Sequence, residues 1–208
     1  IPSLAPAPRD TPMLFVFGSS VSLGKGAKIN LGWVDVVRSK TRFRLNVENL
    51  SIFGGATATI LELLTNNKDP PALANIISTR DAAVVSLSLS NEGLAQDGAS
   101  HQHVARRFLR GVTQIVVRLG ALGFHRILLA TPFPCSRFDA AHHRTVQAVI
   151  RDLKLQYFKS PVQIVDFYNS RLRMNGTGKW LAACRADDFH PNATGHATMA
   201  ALFLEAFY

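Results

Sequence analysis

Short apolar runs alternate with longer amphipathic stretches along this chain, and no other feature of its sequence restricts the fold as much. Runs at 13–17, about 43–49, 82–88, 126–130 and 162–167 have the length and composition of strands buried on both faces. The clearest helix is expected over about 101–122, where Val104, Phe108, Val112, Ile115, Val116, Leu119 and Leu122 recur at spacings of three and four. Others are expected over about 30–40, 56–67, 140–158 and from 191 to the last residue, with a helical piece after Asp69-Pro70-Pro71 running to about Thr79. A strand followed by a helix and a second strand pairs in parallel, because the helix carries the chain back to the starting edge of the sheet. The sequence therefore predicts an α/β chain: a three-layer α/β/α sandwich around a five-stranded, mostly parallel sheet. Residues 1–12, with four prolines, read as an extended arm, and 13–208 as a single domain without linker or repeat.

Composition narrows the partners. A hydrophobic fraction of 47% with 18% charged residues suits a folded globular chain. No apolar run approaches the ~20 residues of a membrane-spanning helix. Lys and Arg outnumber Asp and Glu by 23 to 14, a net charge of +9 that attracts polyanions such as acidic polysaccharide or anionic lipid. The basic residues are scattered, densest at 38–44 and at Arg106, Arg107, Arg110 and Arg118, with no aromatic RNA motif or zinc finger beside them. No nucleic-acid partner is expected, and a monomer is. The first residue is Ile1 rather than Met, there are two cysteines, and sequons stand at Asn49, Asn175 and Asn192. Together these suggest secretion or passage through the secretory pathway, with the cytoplasm as the alternative.

In open parallel sheets ligands bind outside the carboxyl ends of the strands, so the strand-to-helix loops are where chemistry is sought. The first loop reads Phe17-Gly-Ser-Ser-Val-Ser-Leu-Gly-Lys-Gly-Ala27. It is not a phosphate-binding loop: five residues separate Gly18 from Gly24-Lys25 where that motif has four, and Gly26 replaces the hydroxyl residue after the Lys. A Ser directly after a strand can instead project its hydroxyl into the cleft. The last loop reads Asp187-Asp-Phe-His-Pro-Asn192. An Asp three residues before a His can orient the imidazole and stabilise its charged form. The competing reading is a helix entrance capped by Asp188 or Asn192.

Together these segments resemble the SGNH (GDSL-type) serine hydrolase family, four of whose blocks occur in order over about 14–200. Phe17-Gly-Ser-Ser20 is similar to the first block, usually Gly-Asp-Ser. In Asn49-Leu-Ser-Ile-Phe-Gly54 a Gly follows an Asn by five residues, as in the second. Leu89-Ser-Asn91-Glu92 is similar to the third, usually Gly-x-Asn-Asp, and the Asp187–His190 segment to the fifth. The resemblance implies the flavodoxin-like SGNH-hydrolase fold and a metal-independent serine esterase working through an acyl-enzyme. In it Ser20 is the nucleophile, His190 its general base and Asp187 the group orienting His190. Ser20 N–H, Gly54 N–H and the Asn91 side-chain amide would form the oxyanion hole. Ser19 departs from the block's Asp and is assigned to substrate binding. Leu89 and Glu92 also depart from their block, and Gly55 leaves the backbone donor ambiguous by one residue.

The implied substrate is a carboxylic ester, with a short acyl (acetyl) ester on a carbohydrate as the first choice. An O-acyltransferase or a lysophospholipase on the same triad, and a catalytically silent glycan- or lipid-binding module, are the alternatives. No cofactor and no metal are expected. His142 and His143 are adjacent on a helix rather than at i, i+4, His101 and His103 have no nearby carboxylate in sequence, and His196 falls inside the last helix. Specificity loops are expected at 69–79, 92–100 and 168–186. The last, holding Arg171, Arg173, Lys179 and Trp180, is the expected substrate rim, though Trp33 and Trp180 serve equally well as core residues. In the implied fold Cys135 and Cys184 lie near one edge of the sheet, and a disulfide between them would brace the loop of the base.

Overall fold

A computed structural model describes residues 11–65, 77–78 and 80–208. Five strands, β1 (Met13–Gly18), β2 (Asn46–Asn49), β3 (Ala82–Ser86), β4 (Arg126–Ala130) and β5 (Val162–Val165), form one sheet in the order β2-β1-β3-β4-β5, and each pairing is parallel. The helices are α1 (Trp33–Thr41), α2 (Thr57–Thr65), α3 (His101–Ala121), α4 (Ala140–Gln156) and α5 (Ala193–Phe207). This is the predicted α/β arrangement. The arm expected over 1–12 lies outside the described residues apart from Thr11 and Pro12. Residues 69–76 and Thr79, where a helical piece and a specificity loop were expected, lie outside them as well.

Successive side chains of a strand face opposite ways, which splits each apolar run between two cores. Phe15 and Phe17 of β1, Ala83 and Val85 of β3, and Ile127 and Leu129 of β4 point to one side, where the buried stripes of α2, α3 and α4 cover them. Leu14, Val16, Ala82, Val84, Leu128 and Ala130 point to the other, under Trp33, Val34 and Val37 of α1 and Met199, Phe203 and Phe207 of α5. Each large apolar side chain so buried contributes roughly 1.5–3 kcal/mol. Polar residues set the helix starts. Ser100 caps α3 by accepting from His103 N, and Asn192 caps α5 by accepting from Gly195 N. At α4, Asp139 accepts from Ala141 N and His142 N, and the His142 ring returns a contact to Asp139 N, closing a capping box.

Two expectations are corrected. Strand β2 begins at Asn46 rather than near Phe43, because Arg44 N and Leu45 N both turn back onto Thr41 O at the end of α1. Phe43 is left exposed under the Arg42 guanidinium, 4.4 Å from its ring centroid. The second correction concerns the cysteines, which are not bonded. Cys135 belongs to the core beneath α2, α3 and α4, and Cys184 to the core beneath α1 and α5. A shared edge of the sheet therefore does not bring the two sulfurs together. Burial pushes the Cys135 thiol up to about 11 and the Cys184 thiol up as well, so neither forms a reactive thiolate near neutral pH. Iodoacetamide at pH 8 without reductant is expected to leave the native protein unlabelled and to add two carbamidomethyl groups after denaturation. An intact mass showing no labelling after denaturation would restore the disulfide.

Among the described residues no helix is long and apolar enough to cross a membrane.

Candidate active site

The strand order places a switch point between β1 and β3: the chain leaves β1 toward β2 on one side, then continues from β3 toward β5 on the other. Loops diverge there and leave a crevice above the carboxyl ends. Ser20 stands two residues past β1, and Asn91 stands in the loop after β3, so both belong to this crevice.

The loop after β1 is wound tightly. Ser22 N and Leu23 N donate to Ser19 O, and Lys25 N donates to Ser20 O. Gly26, at φ +94°, lets the loop touch the far end of the chain; a Cβ there would lie 2.3 Å from Pro191 O and 3.0 Å from His190 Cβ. His196 makes a second tie. Fully buried in α5, it receives Trp33 N on Nδ1 at 3.2 Å and sets Nε2 3.0 Å from Lys25 O. Burial holds its imidazole below the ordinary range despite the Lys25 carbonyl, so it serves as a neutral strut between α5 and the loop after β1.

These ties bring Ser20 and His190, 170 residues apart, to 3.0 Å between Oγ and Nε2. On the far side of the ring, His190 Nδ1 lies 2.9 Å from both Asp187 carboxylate oxygens. Asp187 Oδ1 also accepts from Phe189 N at 2.8 Å and His190 N at 2.9 Å. Burial pushes this carboxyl up, but the hydrogen bonds from Phe189 and His190 outweigh it and hold it below the ordinary carboxylate range. The carboxylate is therefore ionised and accepts from Nδ1–H, which leaves the Nε2 lone pair toward Ser20. The capping alternative is also met, by a different residue: Asn192 caps α5, while Asp188 pairs with Arg137 at 3.6 Å.

The expected oxyanion donors sit around the same crevice. Gly55 N donates to Ile52 O, and Gly54 stands in a turn at φ +72°. Asn91 Nδ2 donates one hydrogen to Gly55 O at 2.9 Å and keeps a second. Asn49 pins the loop beneath them, its Nδ2 on Ser22 O at 2.8 Å and its Oδ1 accepting Ser51 N.

Both residues assigned to substrate binding are corrected. Ser19 is fully buried and Trp180 is 1% exposed. Trp180 stacks on Phe133 in the core under α1 and α5, and Trp33 packs there against Phe167 and Phe203. The arginines of the expected rim are used locally: Arg171 forks onto Glu205, and Arg173 donates to the carbonyls of Tyr168, Met174 and Thr177. Two open cavities flank the crevice instead. One, of about 480 Å³, is lined by Leu23, Lys25, Lys28, Ile29 and Phe53. The other, of about 560 Å³ past β3 and β4, is lined by Gln96, Asp97, His101, Arg137, His142 and Lys179. The first had no sequence signal beyond its place after a strand, whereas the second takes residues 95–99 from the loop expected over 92–100 and Lys179 from the expected rim.

No family model matches the sequence, and no curated protein does. Solved structures do. A lipolytic protein of the G-D-S-L family from Veillonella parvula superposes with a TM-score of 0.70 at 14% identity, over 95% of this chain and 98% of that one. A GDSL-like lipase from Bacteroides thetaiotaomicron gives 0.68 at 13% identity, over 98% and 91%. The psychrotrophic esterase EstA from Pseudoalteromonas sp. gives 0.61 at 15% identity, over 94% and 96%. Across nearly the whole of its length, this chain has the fold of the G-D-S-L (SGNH) hydrolases.

Proposed function

We propose that this protein is a serine esterase of the SGNH type, which cleaves carboxylic esters through an acyl-enzyme on Ser20. The observation that carries the reading is the hydrogen-bonded chain from Ser20 through His190 to an ionised Asp187. In it Ser20 Oγ attacks the ester carbonyl as its proton passes to His190 Nε2. The imidazolium returns that proton to the alcohol oxygen as the C–O bond breaks. Water, deprotonated by the same nitrogen, then attacks the acyl carbon and frees Ser20. Ser20 N–H, Gly54 N–H and Asn91 Nδ2 stabilise the charge that grows on the carbonyl oxygen only in the transition state.

The polar cavity favours a short acyl group on a carbohydrate. The cavity is formed mainly by loops that follow β3 and β4, and β3 is the strand next to β1, whose own loop carries Ser20. Its amide, imidazole, guanidinium and ammonium groups suit a polyhydroxylated alcohol, and the net charge of +9 suits an acidic polysaccharide. The other cavity supports a second reading, a lysophospholipase, because Leu23, Ile29 and Phe53 stand beside Lys25 and Lys28 as the tail and headgroup of an anionic amphiphile require.

Hydrolysis of p-nitrophenyl esters from acetate to decanoate, with acetylated xylose beside them, tests both. Acetate is expected to exceed decanoate in kcat/KM by at least about tenfold, with acetylated xylose turned over. A preference for decanoate would replace the carbohydrate ester with the amphiphile. No turnover of any ester would remove the esterase reading.

A further inference from the structure

We infer that Glu92 is a positioning residue that sets the spacing of the oxyanion donors, an inference that rests on the esterase reading. Its carboxylate is buried, with side-chain exposure of 3%, and a buried charge persists only where its oxygens are held. Oε1 accepts Thr57 N at 2.6 Å, Oε2 accepts Arg107 Nε at 3.2 Å, and Arg107 Nη2 donates to the Glu92 carbonyl. Thr57 is the first residue of α2 and follows Gly54 by three. The carboxylate thus satisfies one of the donors that a helix leaves unpaired at its start, where negative charge is also favoured by the helix dipole.

The neighbouring Asn91 makes a parallel stitch, from Nδ2 to Gly55 O. Two consecutive residues of the loop after β3 therefore grip the two ends of the short segment 55–57, while Arg107 anchors the same loop to α3. Gly54 N–H and the Asn91 amide are the two donors that reach the crevice from different loops. Among the described residues, the other hydrogen bond that joins these two loops is the neutral one from Asn91 to Gly55 O. Arg107 is 52% exposed along its side chain, so the ion pair is reached from the surface without opening the crevice.

A role confined to stability and a role in positioning part company in kinetics. Oxyanion donors act on charge present only in the transition state, so displacing them lowers kcat and leaves KM in place. Glu92→Gln keeps the shape and loses the charge. It is expected to lower kcat for p-nitrophenyl acetate by about 10–100-fold, since displacement of ~1 Å can cost 10²-fold, with KM within about twofold. Affinity for phenylboronic acid, whose tetrahedral adduct needs the same donors, is expected to weaken by the same factor. Arg107→Gln should move kcat the same way by less. The double variant should lose somewhat more than Glu92→Gln alone, because Arg107 also holds the Glu92 main-chain carbonyl, which Glu92→Gln leaves in place.

A folded Glu92→Gln with wild-type kcat, or a loss confined to KM, would overturn the inference. Should Glu92→Gln not fold, the kcat and boronate affinity of Arg107→Gln decide in the same way. A wild type that hydrolyses no ester removes the esterase reading and this inference with it, whereas an active wild type with indifferent variants removes this inference alone.

Discussion

Replacing Ser20 with Ala is expected to lower kcat for ester hydrolysis by about 10⁴–10⁶-fold, while Ser19→Ala leaves it within about threefold. The two serines are adjacent, and the sequence alone does not choose between them with certainty, because Ser19 occupies the place of an Asp in the family pattern. Geometry separates them. Ser20 Oγ lies 3.0 Å from His190 Nε2. Ser19 Oγ is buried without a hydrogen-bond partner among the described residues, so it has no base to take its proton. A buried hydroxyl that makes no hydrogen bond opposes folding, and Ser19→Ala should leave stability unchanged or raise it by about 1 kcal/mol. Turnover of p-nitrophenyl acetate, labelling by a fluorophosphonate probe and thermal melting check all three expectations. Loss of labelling in Ser19→Ala with labelling retained in Ser20→Ala would exchange the two roles.

Much of the fold was legible because buried parallel strands cannot hide. Leu14 to Phe17, Ala82 to Val85 and Ile127 to Ala130 are buried on both faces, and continuous apolar runs are the only way to write that in sequence. The pairing of Asp187 with His190 was legible for a local reason: they are three residues apart and meet within one turn. What failed depends on which face of the sheet a residue takes. Cys135 and Cys184 share an edge but feed different cores, and Trp180 lies in a segment of basic residues that reads as surface yet turns its indole inward. Long-range ties carried no pattern either. His196 joins α5 to Lys25 O across 171 residues, and Arg107 meets Glu92 across 15. Glu92 was visible only as a residue out of keeping with its block, and the reason for it needed Thr57 in view.

Asp187 gives the second large effect expected of the proposed esterase. Asp187→Asn is expected to lower kcat by about 10³–10⁴-fold with KM little changed. Asp187 does two things at once. Oδ1 accepts Phe189 N and His190 N, which shapes the turn, and both oxygens face His190 Nδ1. An Asn keeps one oxygen, and the turn can retain it. The amide nitrogen then faces Nδ1 and donates to it, so the ring proton moves to Nε2. Nε2 becomes a donor toward Ser20 and no longer accepts its proton, the wrong tautomer for a base. Asp187→Ala should lose kcat to a similar degree and also lower the melting temperature, since the turn loses its acceptor. The comparison of the two variants separates orientation from folding. The wild-type carboxyl is held below its ordinary range by the hydrogen bonds from Phe189 and His190, so its share of stability is present above the unfolded value and is lost only as pH falls through the folded one. Orientation of His190 therefore persists through mild acid. An Asp187→Asn enzyme within about tenfold of wild type would move the orienting role elsewhere. Asp188, next along the chain and paired with Arg137 at 3.6 Å, would be the residue to replace next.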